Sequence, residues 1–146
     1  MDMEKKIINV VGTMFFKDGK LLINKPRKRP TFQMIGGSVT NGETPLEAAI
    51  RECHEELGNQ VIFNEQNFEF VMDFIETATS NPDLNIHMHI FKYNGILEGD
   101  LTVSDEIEEF MWFGVNDDQG ILSNTLKNKI LPYALEQKLI FEDKDL

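Results

Sequence analysis

The chain has 146 residues, of which 41% are hydrophobic and 27% are charged, and its formal net charge at pH 7 is −11. These values predict a single globular domain with a proper core, and no apolar run is long enough for a transmembrane helix. The N-terminal residues are not typical of a secretory signal and the one cysteine excludes an internal disulfide, so we expect a cytoplasmic protein. The negative charge disfavours nucleic acid as a partner, and an anionic substrate would need a cation and a local basic patch.

The first part of the chain predicts a β-hairpin followed by a basic segment. Residues 7–16 form a largely apolar strand, Asp18-Gly19 marks a tight turn, and residues 21–23 form the returning strand. The basic segment then contains Lys25, Arg27, Lys28 and Arg29. Two interpretations stay open: a solvated turn punctuated by prolines, or a phosphate contact made by Lys25 or Arg27.

An amphipathic helix is predicted after a glycine-marked loop at residues 35–42. Thr44 is its N-cap, Pro45 is its first residue, and Glu47 completes a capping box. Gly58 follows its last residue as the C′ position. The predicted apolar stripe comprises Leu46, Ala49, Ile50, Cys53 and Leu57.

Three glutamates share one face of this helix, because Glu52, Glu55 and Glu56 are spaced at i, i+3 and i+4. Repulsion between like charges and the negative end of the helix dipole both oppose this arrangement. Arg51 can neutralise and orient the acids in part, since it lies four residues from Glu55. The cluster therefore indicates a cation site, and a solvated acidic face is the alternative.

Residues 37–58 resemble the Nudix signature, G-x5-E-x7-R-E-U-x-E-E-x-G-U, in which U is a bulky aliphatic residue. The matching positions are Gly37, Glu43, Arg51, Glu52, Glu55, Glu56 and Gly58. Cys53 and Asn59 stand where the family has aliphatic residues, and neither change removes a catalytic group. Ile35 replaces a common proline and Phe32 a common tryptophan, in a part of the sequence that we expect to border the substrate cleft.

The resemblance implies the Nudix fold, an α/β/α sandwich with a mixed β-sheet, and hydrolysis that depends on Mg²⁺ or Mn²⁺. It implies that the metal is bound by Gly36, Glu52, Glu55 and Glu56. Either Glu52 or Glu56 can serve as general base, and Arg51 belongs to the catalytic group as the residue that orients the acids. Gly37, Glu43 and Gly58 have a structural role in the motif, while substrate contacts are assigned to Lys25, Arg27 and Phe32.

The second half of the chain predicts more strands and a last helix. Strands are expected at residues 68–75, 84–93 and 110–115, with turns at 77–83 and 98–100. A helix over residues 125–137 is expected to break or restart at Pro132. Residues 139–141 pack as a short finish and 142–146 form a charged tail, so the single Nudix hydrolase domain spans residues 1–141.

Two further polar groups are candidates for chemistry. A set of acids precedes the last strand, and the resemblance selects Glu106 within it as a further metal ligand or as the base. His87 and His89 share one face of a strand, where they could bind a transition metal or only line the surface. Phe110 and Trp112 are expected in the core.

Family markers of other substrates are absent from this chain. Phe74 stands where ADP-ribose hydrolases carry a proline, and residues 75–77 lack the tyrosine of dinucleoside polyphosphate hydrolases. This favours a MutT-like nucleoside triphosphate pyrophosphohydrolase that yields a nucleoside monophosphate and pyrophosphate, with oxidised nucleotides included. Two alternatives stay open: a non-catalytic nucleotide-sensing Nudix module and an RNA 5′-end pyrophosphohydrolase.

Overall fold

The computed structural model describes residues 6–78 and 81–142. Its largest sheet is built from β1 (Lys6–Met14), β4 (Ile35–Ser38), β6 (Phe68–Ala78) and β7 (Asn81–Tyr93), numbered in chain order. The strand order is β4-β1-β7-β6. Strand β1 is parallel to β7 and antiparallel to β4, while β6 and β7 are antiparallel, so the sheet is mixed.

Two smaller sheets complete the β structure. One contains β2 (Phe16–Lys17), β3 (Lys20–Pro26) and β9 (Ile107–Phe113), and the other pairs β5 (Val61–Ile62) with β8 (Glu98–Gly99). The predicted turn at Asp18-Gly19 is confirmed, with φ of 52° and 75°. The predicted strand over residues 7–16 is divided in two, however, because β1 joins the large sheet and β2 pairs with β3.

The helix that carries the acids, α1 (Pro45–Leu57), has both ends where the sequence predicts them. Thr44 Oγ1 accepts from the Glu47 N–H at 3.1 Å, and Glu47 Oε1 accepts from the Thr44 N–H at 2.9 Å. The predicted apolar stripe is wrong in one member, since Leu46 is 40% exposed. Ala48 takes its place, because it packs with Ala49 in a cluster on the sheet.

The predicted C-terminal helix is present, but at Pro132 it changes type without a break in the helical backbone. A π-helical segment, Leu126–Ile130, leads directly into α2 (Leu131–Glu136), and Pro132 lies in the first turn of α2. Since proline has no N–H to donate to the preceding turn, the helical hydrogen-bond pattern changes at this point. Short 3₁₀ turns occur at Glu65–Asn67 and Gln119–Ile121. Ile140 is buried in the core, which confirms the prediction that residues 139–141 pack against the domain. Residues 143–146 of the predicted tail lie outside the described residues.

Two predicted turns are wrong. Strand β6 continues to Ala78 and β7 begins at Asn81, because backbone pairing persists beyond the apolar part of both strands, and residues 79–80 lie outside the described residues. Glu98–Gly99 is the short strand β8 rather than a turn. A Cβ on Gly99 would lie 2.0 Å from the Gln60 carbonyl oxygen, so glycine permits this close pairing. The last strand also begins earlier than predicted, at Ile107 instead of residue 110.

The core lies on both faces of the strands. Leu21 and Ile23 pack in a cluster with the C-terminal helical region, whereas Leu22 between them packs with Cys53 and Leu57 of α1. Since successive strand residues point to opposite faces, helices cover both sides and the α/β/α sandwich is confirmed. None of the helices in the described part of the chain is long and apolar enough to span a bilayer.

Candidate active site

The glutamates of α1 meet the loop before β9 in a small cleft. This cleft, of about 130 Å³, is lined by Asn24, Pro26, Glu52, Glu55, Glu56, Ser104, Glu106 and Ile107. Four of the carboxylates singled out in the sequence therefore face one space. Glu106, the acid selected from several neighbours in the sequence, comes from the loop before β9, and its charge raises the pKa of Glu56.

Glu56 is the most strongly perturbed of these acids. Its Oε1 accepts from the Gly36 N–H at 3.2 Å, and its Oε2 accepts from Asn24 Nδ2 at 3.4 Å. Burial, followed by the charge of Glu52, raises the pKa of Glu56 to about 9 against an ordinary 4.5. Without a cation the Glu56 carboxyl is therefore protonated at neutral pH, and a bound cation would favour its ionised form.

Arg51 ties the preceding loop to the helix. Its Nε and Nη2 donate to Glu43 at 2.6 and 3.0 Å, and Nη2 also donates to the Ser38 carbonyl at 3.0 Å. Its Nη1 donates to Glu52 at 3.1 Å and to Glu55 at 3.2 Å. These bonds hold the pKa of Glu43 at about 2, first through Arg51 and then through Thr40. Burial dominates at Glu52, whose pKa is raised in spite of Arg51.

The two glycines of β4 are required for different steric reasons. A Cβ on Gly36 would lie 1.9 Å from the Val11 carbonyl oxygen of β1. A Cβ on Gly37 would instead lie 2.5 Å from the carboxyl carbon of Glu52. Gly36 is thus needed by the sheet, whereas Gly37 leaves room for a side chain of the cleft.

The donor set of the cleft fits a hard divalent cation. Its carboxylates offer the oxygen ligands that Mg²⁺ prefers. Burial and the neighbouring carboxylates raise the pKa values of Glu52 and Glu56, and a bound cation would favour the ionised forms. Within residues 6–78 and 81–142, no three His, Cys, Asp or Glu side chains already surround a common point. Arg51 engages two of the glutamates, Glu52 and Glu55. The ligand set Gly36, Glu52, Glu55, Glu56 and Glu106 stays a prediction.

The basic segment lies next to the cleft and is tied to it. Lys25 Nζ contacts Glu108 Oε2 at 2.7 Å, and Lys25 lowers the pKa of Glu108. The Arg27 N–H donates to the carbonyl oxygen of Glu106 at 2.9 Å. The side chains of Arg27 and of the two basic residues that follow it are exposed. The phosphate contacts assigned to Lys25 and Arg27 stay a prediction.

Phe32 and Ile35 do not border the cleft, which corrects the interpretation from the sequence. Phe32 is 7% exposed and packs in the core cluster next to the C-terminal helical region. A backbone bridge to Leu122 fixes it there, so its ring fills the core instead of stacking on a ligand. Ile35 is fully buried in the cluster below α1. Phe110 and Trp112 pack against that cluster, as expected.

The two strand histidines are bonded to different neighbouring strands. His87 Nε2 lies 2.7 Å from Asp73 Oδ2 on β6, whereas His89 Nε2 lies 3.0 Å from Asn9 Oδ1 on β1. Their ring centroids are 4.1 Å apart. Burial, followed by the neighbouring His87, lowers the pKa of His89. Since the two Nε2 atoms have partners on opposite sides of β7, they do not converge on a shared ligand position.

Sequence reasoning missed Asn24. This residue ends the apolar run of β3, is only 3% exposed, and lines the cleft beside Glu56. The available signal was a lone amide directly after Leu21-Leu22-Ile23, at the point where the chain enters the basic segment. A buried polar side chain needs partners, and here they are the Met34 carbonyl oxygen and the carboxyl group of Glu56.

Comparison with known proteins agrees with this geometry. An RNA pyrophosphohydrolase of Francisella tularensis (strain WY96-3418) is 40% identical over 50 residues, which are 34% of this chain and about a third (32%) of that protein. A MutT NUDIX hydrolase from Burkholderia pseudomallei superposes with a TM-score of 0.71 at 22% identity, over 91% of this chain and 98% of that one. A MutT protein from Methanosarcina mazei Go1 gives 0.72 at 20% identity, over 94% and 99%.

These two structural likenesses show the fold. The family itself is shown by the sequence, because the model of the NUDIX domain matches residues 6–131. That match includes both strands and the whole of the helix that line the cleft. The chain therefore belongs to the NUDIX domain family.

Proposed function

We propose that the protein hydrolyses a phosphoanhydride bond of a nucleoside triphosphate, with Mg²⁺ or Mn²⁺, and releases a nucleoside monophosphate and pyrophosphate. The observation that carries this proposal is the convergence of Glu52, Glu55, Glu56 and Glu106 on one cleft. Four carboxylates in one space repel a polyphosphate unless a cation lies between them, so the cleft suits a metal-bound polyphosphate. The absence of the sequence markers of other substrates supports a nucleoside triphosphate, and the fold agrees with that of two MutT proteins.

The cation would be held by Glu52, Glu55 and Glu56, with the Gly36 carbonyl as a further ligand. When bound, it supplies neutralisation of the diphosphate and lowers the pKa of water. The protein itself positions the carboxylates that would bind the cation. Gly36 and Asn24 hold the carboxylate of Glu56, and Arg51 holds that of Glu52.

We assign the role of general base to Glu106, with Glu52 and Glu56 as the alternatives. Within the described residues, no hydrogen bond engages the Glu106 carboxylate, whereas Glu52 and Glu56 are each held by neighbours. Glu106 is also exposed, so its side chain can approach an attacking water. A carboxylate within hydrogen-bond reach of that water would remove its proton as the oxygen attacks phosphorus.

Lys25 and Arg27 would contact the phosphates of the substrate. Both lie in the segment bonded to the loop of Glu106, so they are close to where a polyphosphate would enter. The net charge of −11 opposes anions over the surface at large, which makes this local basic segment necessary for binding.

RNA with a 5′-triphosphate is the second candidate substrate. One observation favours it, namely the 40% identity over 50 residues to an RNA pyrophosphohydrolase. The exposed Lys28 and Arg29 extend the basic segment and could contact the phosphates of the following nucleotides. A purely nucleotide-sensing module is disfavoured, because binding alone does not require the complete set of acids.

The test is to separate and identify the products of hydrolysis, pyrophosphate or nucleotide, in the presence and absence of Mg²⁺ across a substrate panel. The panel comprises normal and oxidised nucleoside triphosphates, ADP-ribose, dinucleoside polyphosphates and triphosphate-ended RNA. Glu56→Gln should abolish turnover, while Glu136→Gln, an exposed glutamate of α2, serves as the matched control and should keep it. Turnover of RNA alone would replace the nucleotide with the second candidate. Tight nucleotide binding without any turnover would overturn the catalytic proposal in favour of a sensor.

A further inference from the structure

A buried amide lies directly behind the acidic cleft. Asn24 is 3% exposed, and its Nδ2 donates to two acceptors: the Met34 carbonyl oxygen at 3.0 Å and Glu56 Oε2 at 3.4 Å. An amide nitrogen has two hydrogens, so both bonds can form at once. The opposite orientation of the amide would place its oxygen against the Met34 carbonyl oxygen, which can only accept a hydrogen bond. The surroundings therefore fix which side of the amide faces Glu56.

The backbone of Asn24 is occupied independently of this side chain. Its N–H donates to the Gln33 carbonyl at 3.0 Å, and its carbonyl accepts from the Gln33 N–H at 2.7 Å. This bridge holds the end of β3 beside the segment that leads to β4. A change of the Asn24 side chain thus leaves the strand pairing in place, and Gln33 offers a control position on the same bridge.

The two oxygens of Glu56 are held from two directions. The Gly36 N–H of β4 binds Oε1 and the Asn24 amide of β3 binds Oε2. A carboxylate held by only one of these groups could rotate about its terminal torsion, which is broad for glutamate. The pair of donors fixes the plane of the carboxylate in the cleft.

We propose that Asn24 is a positioning residue for the metal site, holding the Glu56 carboxylate in the orientation that binds the cation. The inference rests on the proposed function, since that function places a divalent cation at Glu56. Asn24 acts through Glu56 and touches neither the cation nor the reacting atoms. Groups that orient metal ligands in this way typically change metal affinity by about 10- to 100-fold when removed.

The first experiment measures Mn²⁺ affinity by the electron paramagnetic resonance signal of free Mn²⁺, without any substrate. Asn24→Ala and Asn24→Ser should each weaken Mn²⁺ binding by about tenfold or more, whereas Gln33→Ala should leave it unchanged. In a Glu56→Gln background, Asn24→Ala should change the affinity by less than about twofold, because the effect requires the Glu56 carboxylate. Equal losses in both backgrounds, or wild-type affinity of both Asn24 variants, would overturn the proposal.

A second measurement needs no Asn24 variant and so does not depend on how such variants fold. The side-chain amide resonances of Asn24 in the wild-type protein should shift on addition of Mg²⁺, and the shift should be absent in Glu56→Gln. If the protein binds Mg²⁺ and the Asn24 amide resonances do not shift, the coupling between Asn24 and the metal site is refuted. Because neither readout involves turnover, a protein that binds Mn²⁺ but hydrolyses no nucleotide would refute the proposed function and still test Asn24.

Discussion

Replacing Glu56 with glutamine should stabilise the metal-free protein at neutral pH. The pKa of this carboxyl is about 9 in the native state against an ordinary 4.5, first because of burial and then because of Glu52. The native protein therefore binds this proton more tightly than the unfolded chain does. By linkage, the free energy of unfolding is highest below about pH 4.5 and falls as the pH rises towards 9.

The size of the effect at pH 7 follows from the same two pKa values. A shift of one unit corresponds to about 1.4 kcal/mol, and pH 7 lies about 2.5 units above the ordinary pKa. The upper limit is therefore about 3.4 kcal/mol at that pH. Glutamine keeps an oxygen that can accept from the Gly36 N–H, but its NH₂ group cannot accept from the Asn24 amide. The lost hydrogen bond reduces the gain in stability by about 1 kcal/mol. A net gain of about 1–3 kcal/mol is expected for Glu56→Gln.

Urea unfolding in EDTA measures this gain, at about pH 5, 7 and 8.5. The difference between Glu56→Gln and the wild type should be small at the lowest pH and should grow at each step. Glu136→Gln controls for the loss of one exposed glutamate and should show no such trend. Mg²⁺ should stabilise the wild type and have much less effect on Glu56→Gln. A difference that does not change with pH would refute the linkage argument.

Three further predictions concern the elements that support the cleft. Gly37→Ala forces its new methyl group against the Glu52 carboxyl group, so kcat should fall by about 100-fold in steady-state assays while the circular dichroism spectrum is kept. Arg51→Lys loses the forked contact with Glu43, which should lower the free energy of unfolding by about 1–2 kcal/mol in urea titrations; no loss would show that a single ammonium group suffices. Thr44→Ala removes the N-cap and should cost about 1 kcal/mol, whereas Thr44→Ser should restore most of it; equal stability of the two variants would contradict a capping role.

The helix and its acids could be predicted because their signals are local. The capping residues Thr44 and Glu47, the glycine at position 58, and the spacing of the three glutamates all lie within one short segment. The family resemblance then supplied what the spacing alone could not, namely the choice of Glu106 from a run of acids. The structure brings it to the same cleft.

The errors and omissions arise where distant segments decide the outcome. Phe32 is held in the core by its backbone bridge to Leu122, and the residues around Phe32 in the sequence do not predict that contact. The strand at Glu98–Gly99 exists only because residues 61 and 62 pair with it. Asn24 is buried beside a glutamate 32 positions further along the chain. In each case the local sequence is compatible with several structures, and tertiary contacts select one.

Because both faces of the strands are buried, hydrophobic burial alone specifies the register of strand pairing only weakly. A slip of one residue usually moves apolar side chains into water, which is the main penalty against it. Here Leu21, Leu22 and Ile23 would only exchange one apolar layer for the other. The register of β3 must therefore be set by other features, above all the tight Asp18-Gly19 turn that joins it to β2. Substitutions at that turn should produce several coexisting packings instead of one weakened native state.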